Sequence, residues 1–438
     1  MSKPPISQYS SSHLGEEGHA VYLSKPYHPP RSKLLGAVNS LSRTFLNNGS
    51  LLVQLDAVRL LEKACKITGL YDFGDDSFLQ PLGILLRSFA DDADLNFVGR
   101  VTARADILRM LCNRLRLIED RKRNPGIADE IIWRPLFITG LPRTGSTFLH
   151  ALLARDPGCR APQTWEVMHP SPPPEASSYD VDPRIAVTAR ELKWLDLLMP
   201  KFKTAHMIDA RLPQECIAIT GHSFLSYVFE SMFFVSSYRI WHEDQDKVPA
   251  YEFHRQFLQH LQWRCPGSHW VLKAPSHLMS LEELFQVYPD ARVILTHRDP
   301  VKVLASCASF AEVLREPFTD FFDRKELGTE VRERWGKGAR LAIEFRQNHS
   351  DLKARFFDVL YANLVRDPMA MVRLIYRHFD MELTNAAESA MLRFLKQNPQ
   401  NKHGVHRYTL EDFGFDRETE RRRFEFYSDY FGIGLENR

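Results

Sequence analysis

Six cysteines are all that 438 residues hold, scattered at 65, 112, 159, 216, 265 and 307 without a C-x-x-C pair. That scarcity argues against a disulfide framework or a zinc site and predicts reduced thiols in a cytoplasmic protein. No apolar run reaches the roughly 18 residues of a membrane helix, and the first thirty residues, rich in Ser, Pro and His, lack the apolar stretch of a secretion signal. The expectation is a chain without membrane spans. Its most apolar segment, FLSYVFESMFFVSSY at 224–238, is broken by Glu230 and several serines, which predicts a buried helix, one that could wall an apolar acceptor pocket. Neither charge dominates: 57 Lys and Arg stand against 55 Asp and Glu, a formal +2, with no long run of one sign. A broad nucleic-acid footprint is thereby excluded, so any anion must be held by a local basic site. A fixed-period repeat and an extended low-complexity tract are both missing, which excludes a solenoid.

What is present concentrates in three segments. Residues 136–150, LFITGLPRTGSTFLH, read as an apolar strand, a Gly-rich turn and a helix, the order that wraps backbone amides around a phosphate. Leu136, Phe137 and Ile138 suit a buried parallel strand, while Phe148, Leu149, Leu152 and Leu153 repeat at helical spacing. The loop keeps the two glycines of a nucleoside-triphosphate loop, Gly140 and Gly145, but has Ser146 where that motif needs lysine. Its positive charge sits inside the loop at Arg143, which implies a different phosphate geometry and a donor that needs no metal.

The second segment, WVLKAPSHL at 270–278, sets Lys273, Ser276 and His277 at a strand end, where parallel α/β sheets place their active sites. The third, 291–310, predicts a strand over Arg292–Thr296, a turn at His297–Pro300 and a helix from near Val301. Arg298 and Ser306 are eight residues apart, about two helical turns, and could touch one anionic group lying over that helix. No apolar strand ends in a magnesium-binding Asp: those at 270 and 293 run into Lys273 and into Thr296, His297 and Arg298.

Together these segments resemble the sulfotransferases that use 3'-phosphoadenosine 5'-phosphosulfate, specifically the larger bacterial-type branch with its G-x-P-R-S/T-G-S/T-T loop and H-R-D-P turn. The resemblance covers roughly 130–435, including HRYTLEDFG at 406–414, which is similar to that branch's C-terminal signature. It implies that Arg143, Thr144, Gly145, Ser146 and Thr147 form the 5'-phosphosulfate loop, that Arg298 and Ser306 hold the 3'-phosphate, and that Tyr361, closing FFDVLY ahead of Asp367 and Pro368, lies near the adenine. Lys273 resembles the lysine of the family's K-T-H-L segment, although two extra residues separate it from His277. Two residues compete as general base: His277, and Glu166 in APQTWEVMHP, which occupies a position similar to a glutamate of several bacterial-type members. For Glu166 the base role would need an apolar setting that raises its pKa, which Trp165 and Met168 could supply in part. Glu215, in RLPQEC, reads instead as a solvated or capping residue.

The expected architecture is α/β: a P-loop-type parallel sheet flanked by helices, with a helical N-terminal region and a helical insertion. Residues 1–32 read as a loose arm, 33–130 as helices, and 131–438 as the sulfotransferase-like portion, interrupted by the insertion at about 165–268. Leu51, Leu52, Leu55, Val58 and Leu61 mark one apolar helical face in the N-terminal region, and Ile107, Leu108, Leu111 and Leu115 another. A soft boundary is placed at EDRKRNPG, 119–126. Late basic residues Lys402, His403, His406 and Arg407 could close over the donor, and Arg421, Arg422 and Arg423 read as helix-surface ion pairs. The resulting expectation is in-line sulfuryl transfer to a hydroxyl, or an amine, of a small-molecule or lipid acceptor, without metal or nucleic acid. A P-loop phosphotransferase and a non-catalytic interaction protein are the alternatives.

Overall fold

A computed structural model describes residues 53–198, 207–398 and 409–436, with 27–29, 36, 39, 40, 42, 201 and 202 besides. Leu51, Leu52, the arm before Tyr27, and the basic cluster Lys402, His403, His406 and Arg407 lie outside the described residues. Five parallel strands form the sheet: β1 (Leu136–Gly140), β2 (Cys159–Arg160), β3 (His269–Lys273), β4 (Arg292–His297) and β5 (Phe356–Leu360), ordered β2-β3-β1-β4-β5. The central strand is β1, with Phe137 paired to Leu272 on one side and to Val293 on the other.

Successive strand residues face opposite sides, and both sides are covered. Phe137, Leu272, Val293 and Leu295 enter one buried cluster, whereas Leu136, Ile138, Val271 and Ile294 enter a second. This double coverage explains why the strands read as continuous apolar runs rather than alternating ones. The long helices include α1 (Ala57–Thr68), α2 (Leu79–Asp91) and α3 (Phe97–Arg123) before the sheet. After β1 come α4 (Ser146–Leu153) and the short α5 (Thr164–Met168), α6 (Cys216–Thr220) and α7 (Tyr227–Met232). Beyond β4 lie α8 (Pro300–Arg315) and α9 (Arg324–Asn348), and beyond β5 the short α10 (Tyr361–Arg366). Each strand expected from the sequence forms within two residues of its expected ends, and α8 begins at Pro300, with the Asp299 side chain accepting from the Val301 amide at 2.9 Å.

Two local expectations need correction. The helix that follows Leu55 starts only after its N-cap Asp56 and buries Leu60 and Ala64, so Val58, assigned to the apolar face, is 62% exposed. The segment 224–238 is not one helix: α7 stops at Met232, and a separate helix begins at Ser236. Glu119–Arg123 forms the last turn of α3. Ile107, Leu111 and Leu115 are buried as expected, in a cluster that joins α1, α2 and α3 to Phe224, Phe229 and Phe233 of the insertion. No described helix is long and apolar enough to cross a membrane.

Candidate active site

The C-terminal ends of β1, β3 and β4 open onto a cavity of about 750 Å3. At the end of β1 the chain must turn back immediately, and two glycines allow it. A Cβ on Gly140, at φ 131°, would lie 2.3 Å from the Thr296 carbonyl of the neighbouring strand. One on Gly145, at φ 87°, would meet the Tyr361 ring and Leu364 at 3.1 Å. Between them Arg143 adopts φ 64°, a left-handed conformation rare for a residue with a side chain. The loop is fastened from beneath: Thr144 is fully buried, its hydroxyl donating to the Leu141 carbonyl at 2.7 Å and lying 2.6 Å from Thr296 Oγ1. Ser146 then opens α4, whose first amides lack intrahelical acceptors and add the positive end of the helix dipole.

Arg143, Gly145, Ser146 and Thr147 line the cavity, as do Lys273, Ser276, Arg298 and Tyr361. Ser306 faces the same loop, its Oγ accepting from Arg143 Nε at 3.0 Å. Arg298 reaches the Arg143 carbonyl at 3.3 Å, and its guanidinium lies 4.2 Å from the centroid of the Tyr361 ring. The same guanidinium forms an ion pair with Glu436 at 3.0 Å, and the Glu436 amide donates to Asp299. The neighbouring His297 turns away, between Asp358 at 2.9 Å and the Tyr427 hydroxyl at 2.8 Å.

The two proposed bases stand elsewhere. Glu166 is fully buried in α5, ion-paired with Arg160, accepting from the Gln163 amide at 2.8 Å and from the Tyr179 hydroxyl at 2.9 Å. Burial raises its carboxyl pKa above the usual range, but Arg160, Gln163 and Tyr179 already use its oxygens. His277 is equally enclosed: Nδ1 is 2.6 Å from the Tyr251 hydroxyl, and the ring packs edge-on against Phe137 at 5.1 Å. Its pKa is pushed well below 6.5 by burial, so the imidazole is neutral. The carboxylate that does line the cavity beside the loop is Glu215, which precedes α6 and is ion-paired with Lys273. Sequence reading set Glu215 aside as a capping residue; it does stand at an N-cap position, but without a side-chain cap hydrogen bond. Its partner lies 58 residues away, so no local pattern could have marked it.

Away from the loop much of the cavity lining is apolar. Leu195, Phe202, Met207, Ile217, Val228 and Met232 come from the insertion, and Phe310, Ala311, Leu314, Val331 and Trp335 from α8 and α9.

A family model described as "Sulfotransferase family" matches residues 135–385. The omega-hydroxy-beta-dihydromenaquinone-9 sulfotransferase Stf3 of Mycobacterium bovis is 23% identical over 319 residues, spanning 65% of this chain and 76% of that protein. Two crystal structures are similar over most of the chain. The sulfotransferase STF1 of Mycobacterium tuberculosis H37Rv is 32% identical with a TM-score of 0.75, covering 84% of this chain and 97% of its own. The sulfotransferase STF9 of Mycobacterium avium is 30% identical with a TM-score of 0.80, covering 87% and 97%.

Proposed function

Since the chain belongs to the sulfotransferase family, we propose that 3'-phosphoadenosine 5'-phosphosulfate is its donor and a hydroxyl on a largely apolar, lipid-like molecule its acceptor. The observation that carries this reading is the convergence of Arg143, Ser146, Thr147, Arg298 and Tyr361 on one cavity, with Ser306 hydrogen-bonded to Arg143. Two arginines meet there, as a donor with two separated phosphate positions requires, and Tyr361 offers a ring for a purine.

The donor supplies a sulfuryl group bound to a phosphate oxygen. Arg143 and the first amides of α4 hold the 5'-phosphate and stabilise the charge that grows on it as the bond to sulfur breaks. Arg298 holds the 3'-phosphate, and Glu436 leaves its guanidinium when that phosphate arrives. We assign the general base to Glu215, which takes the acceptor's proton while the acceptor oxygen attacks sulfur in line. Lys273 orients that carboxylate and brings a positive charge to the transferring group. Glu166 and His277 act through packing, one fixing the turn before α5 and the other the floor beneath β1. The insertion's apolar side chains favour an acceptor of the class named for the M. bovis relative over a small polar metabolite.

Calorimetry without magnesium, comparing 3'-phosphoadenosine 5'-phosphate with ATP, tests the donor. Tight, metal-independent binding of the bisphosphate is expected; a requirement for magnesium-ATP would turn the reading towards a phosphotransferase.

A further inference from the structure

At the end of the cavity remote from the phosphate loop, three helices close around a polar cluster that donor chemistry leaves unused. Helix α8 measures the distance: Ser306 sits at the loop, Phe310 and Leu314 follow on the cavity wall, and Arg315 lies nine residues beyond Ser306, about 13 Å at 1.5 Å per residue. Arg315 is joined on that wall by Arg334 of α9 and by Tyr227 and Ser231 of α7. Both arginines are buried and matched by two carboxylates. Glu330 accepts from Arg315 at 2.7 Å and from Arg334 at 2.9 Å, and Glu230 accepts from Arg334 at 2.6 Å. Each of the two arginines thus has a carboxylate partner within the protein.

The tyrosine is the exception in this network. The fully buried tyrosines each hydrogen-bond to protein: Tyr238 to the Phe224 carbonyl, Tyr251 to His277, Tyr288 to His254, Tyr376 to Asp156 and Tyr427 to His297. Tyr227 lines the cavity with its ring edge-on to His242 at 4.5 Å, and its hydroxyl has no hydrogen-bond partner among the described residues. Tyr227 is only half-buried, its hydroxyl open to the cavity rather than sealed like theirs. Burial raises its pKa, so it remains a neutral donor.

We propose that Tyr227 binds an uncharged oxygen, a carbonyl or hydroxyl, at the far end of an elongated acceptor whose reacting hydroxyl lies at Glu215. This deepens the reading of the cavity as a sulfuryl-acceptor site: it restricts the acceptor to an apolar body with oxygen at both ends.

The test is calorimetry on the full chain without donor, using straight-chain primary alcohols and α,ω-diols of matched length over a series of chain lengths. At one length the diol is expected to bind about tenfold more tightly than its mono-alcohol, and Tyr227→Phe, with an unchanged melting temperature, should bring the diol down to the mono-alcohol's affinity. No diol preference at any length, or a preference that survives in Tyr227→Phe, would overturn the proposal. Because no donor is present, this outcome is independent of the bisphosphate titration, which alone tests the donor reading.

Discussion

At the loop end of the cavity, Arg143, Ser146, Thr147 and Arg298 belong to two β-turn-helix units on the adjacent strands β1 and β4, whose five-residue register fixes their separation. At the far end, Tyr227, Leu314, Val331 and Trp335 come from three helices held together through side chains, among them Arg315 of α8 donating to the Glu230 carbonyl of α7. Backbone hydrogen bonds thus fix the loop end of the cavity, and side-chain packing shapes what lies opposite it. The first half tolerates little change in position; the second is reshaped whenever α7 or α9 shifts. A fold can keep its donor while its acceptor changes, because the two sites rest on different interactions.

Two carboxylates, one half-buried and one fully buried, sharpen the contrast. Glu215 and Glu166 each pair with a cation, yet Glu215 lines the cavity and Glu166 is sealed. Glu215→Gln should lower turnover by about a hundredfold or more, the usual range for losing a general base, while leaving the melting temperature near that of wild type. Glu166→Gln should do the reverse, leaving Arg160 without its buried carboxylate at a cost of about 3 kcal/mol in unfolding free energy. Denaturant titration and steady-state kinetics on both variants would separate them; equal effects on stability would break the comparison.

Acid should act on the packed body before the site. Burial holds His150, His222 and His254 down to about 3 and His260 to about 4. Their folded pKa lies below the unfolded 6.5, so the stability they contribute is intact above that value and is lost as pH falls from 6.5 towards 3. Each removes about 1.4 kcal/mol per pH unit over that window. Melting temperatures measured from pH 7.5 to 5 should therefore fall steeply below 6.5; a flat profile would contradict the neutral, buried state of these rings.

The smallest expected effect concerns Glu436. Its ion pair with Arg298 is partly exposed, worth about 1 kcal/mol or less. Glu436→Gln should raise bisphosphate affinity by a few-fold, read by calorimetry, because the phosphate no longer competes with a carboxylate.

The loop end was legible in the sequence because its chemistry is local. The Gly140-to-Thr147 turn, the strand ends at Lys273 and Arg298, and the eight-residue step to Ser306 are each contained in one short segment; Arg143, Lys273 and Arg298 line one cavity, and Ser306 is hydrogen-bonded to Arg143. What was not legible depends on pairing across the chain. Glu215 gains its place from Lys273, Arg298 its resting partner from Glu436, and Tyr227 its exposure to the cavity from a helix break at Phe233 that hydrophobicity alone does not mark. Val58 was misassigned for a simpler reason: Asp56 caps α1 and turns the apolar face towards Leu60 and Ala64.

The central claim is that Arg298 reads a 3'-phosphate. It is tested most directly by titrating wild type and Arg298→Ala with 3'-phosphoadenosine 5'-phosphate and with adenosine 5'-phosphate. Wild type should prefer the bisphosphate strongly, and the variant should lose about 1.5 to 3 kcal/mol of that preference while binding the monophosphate nearly as before. An undiminished preference in Arg298→Ala would contradict the account.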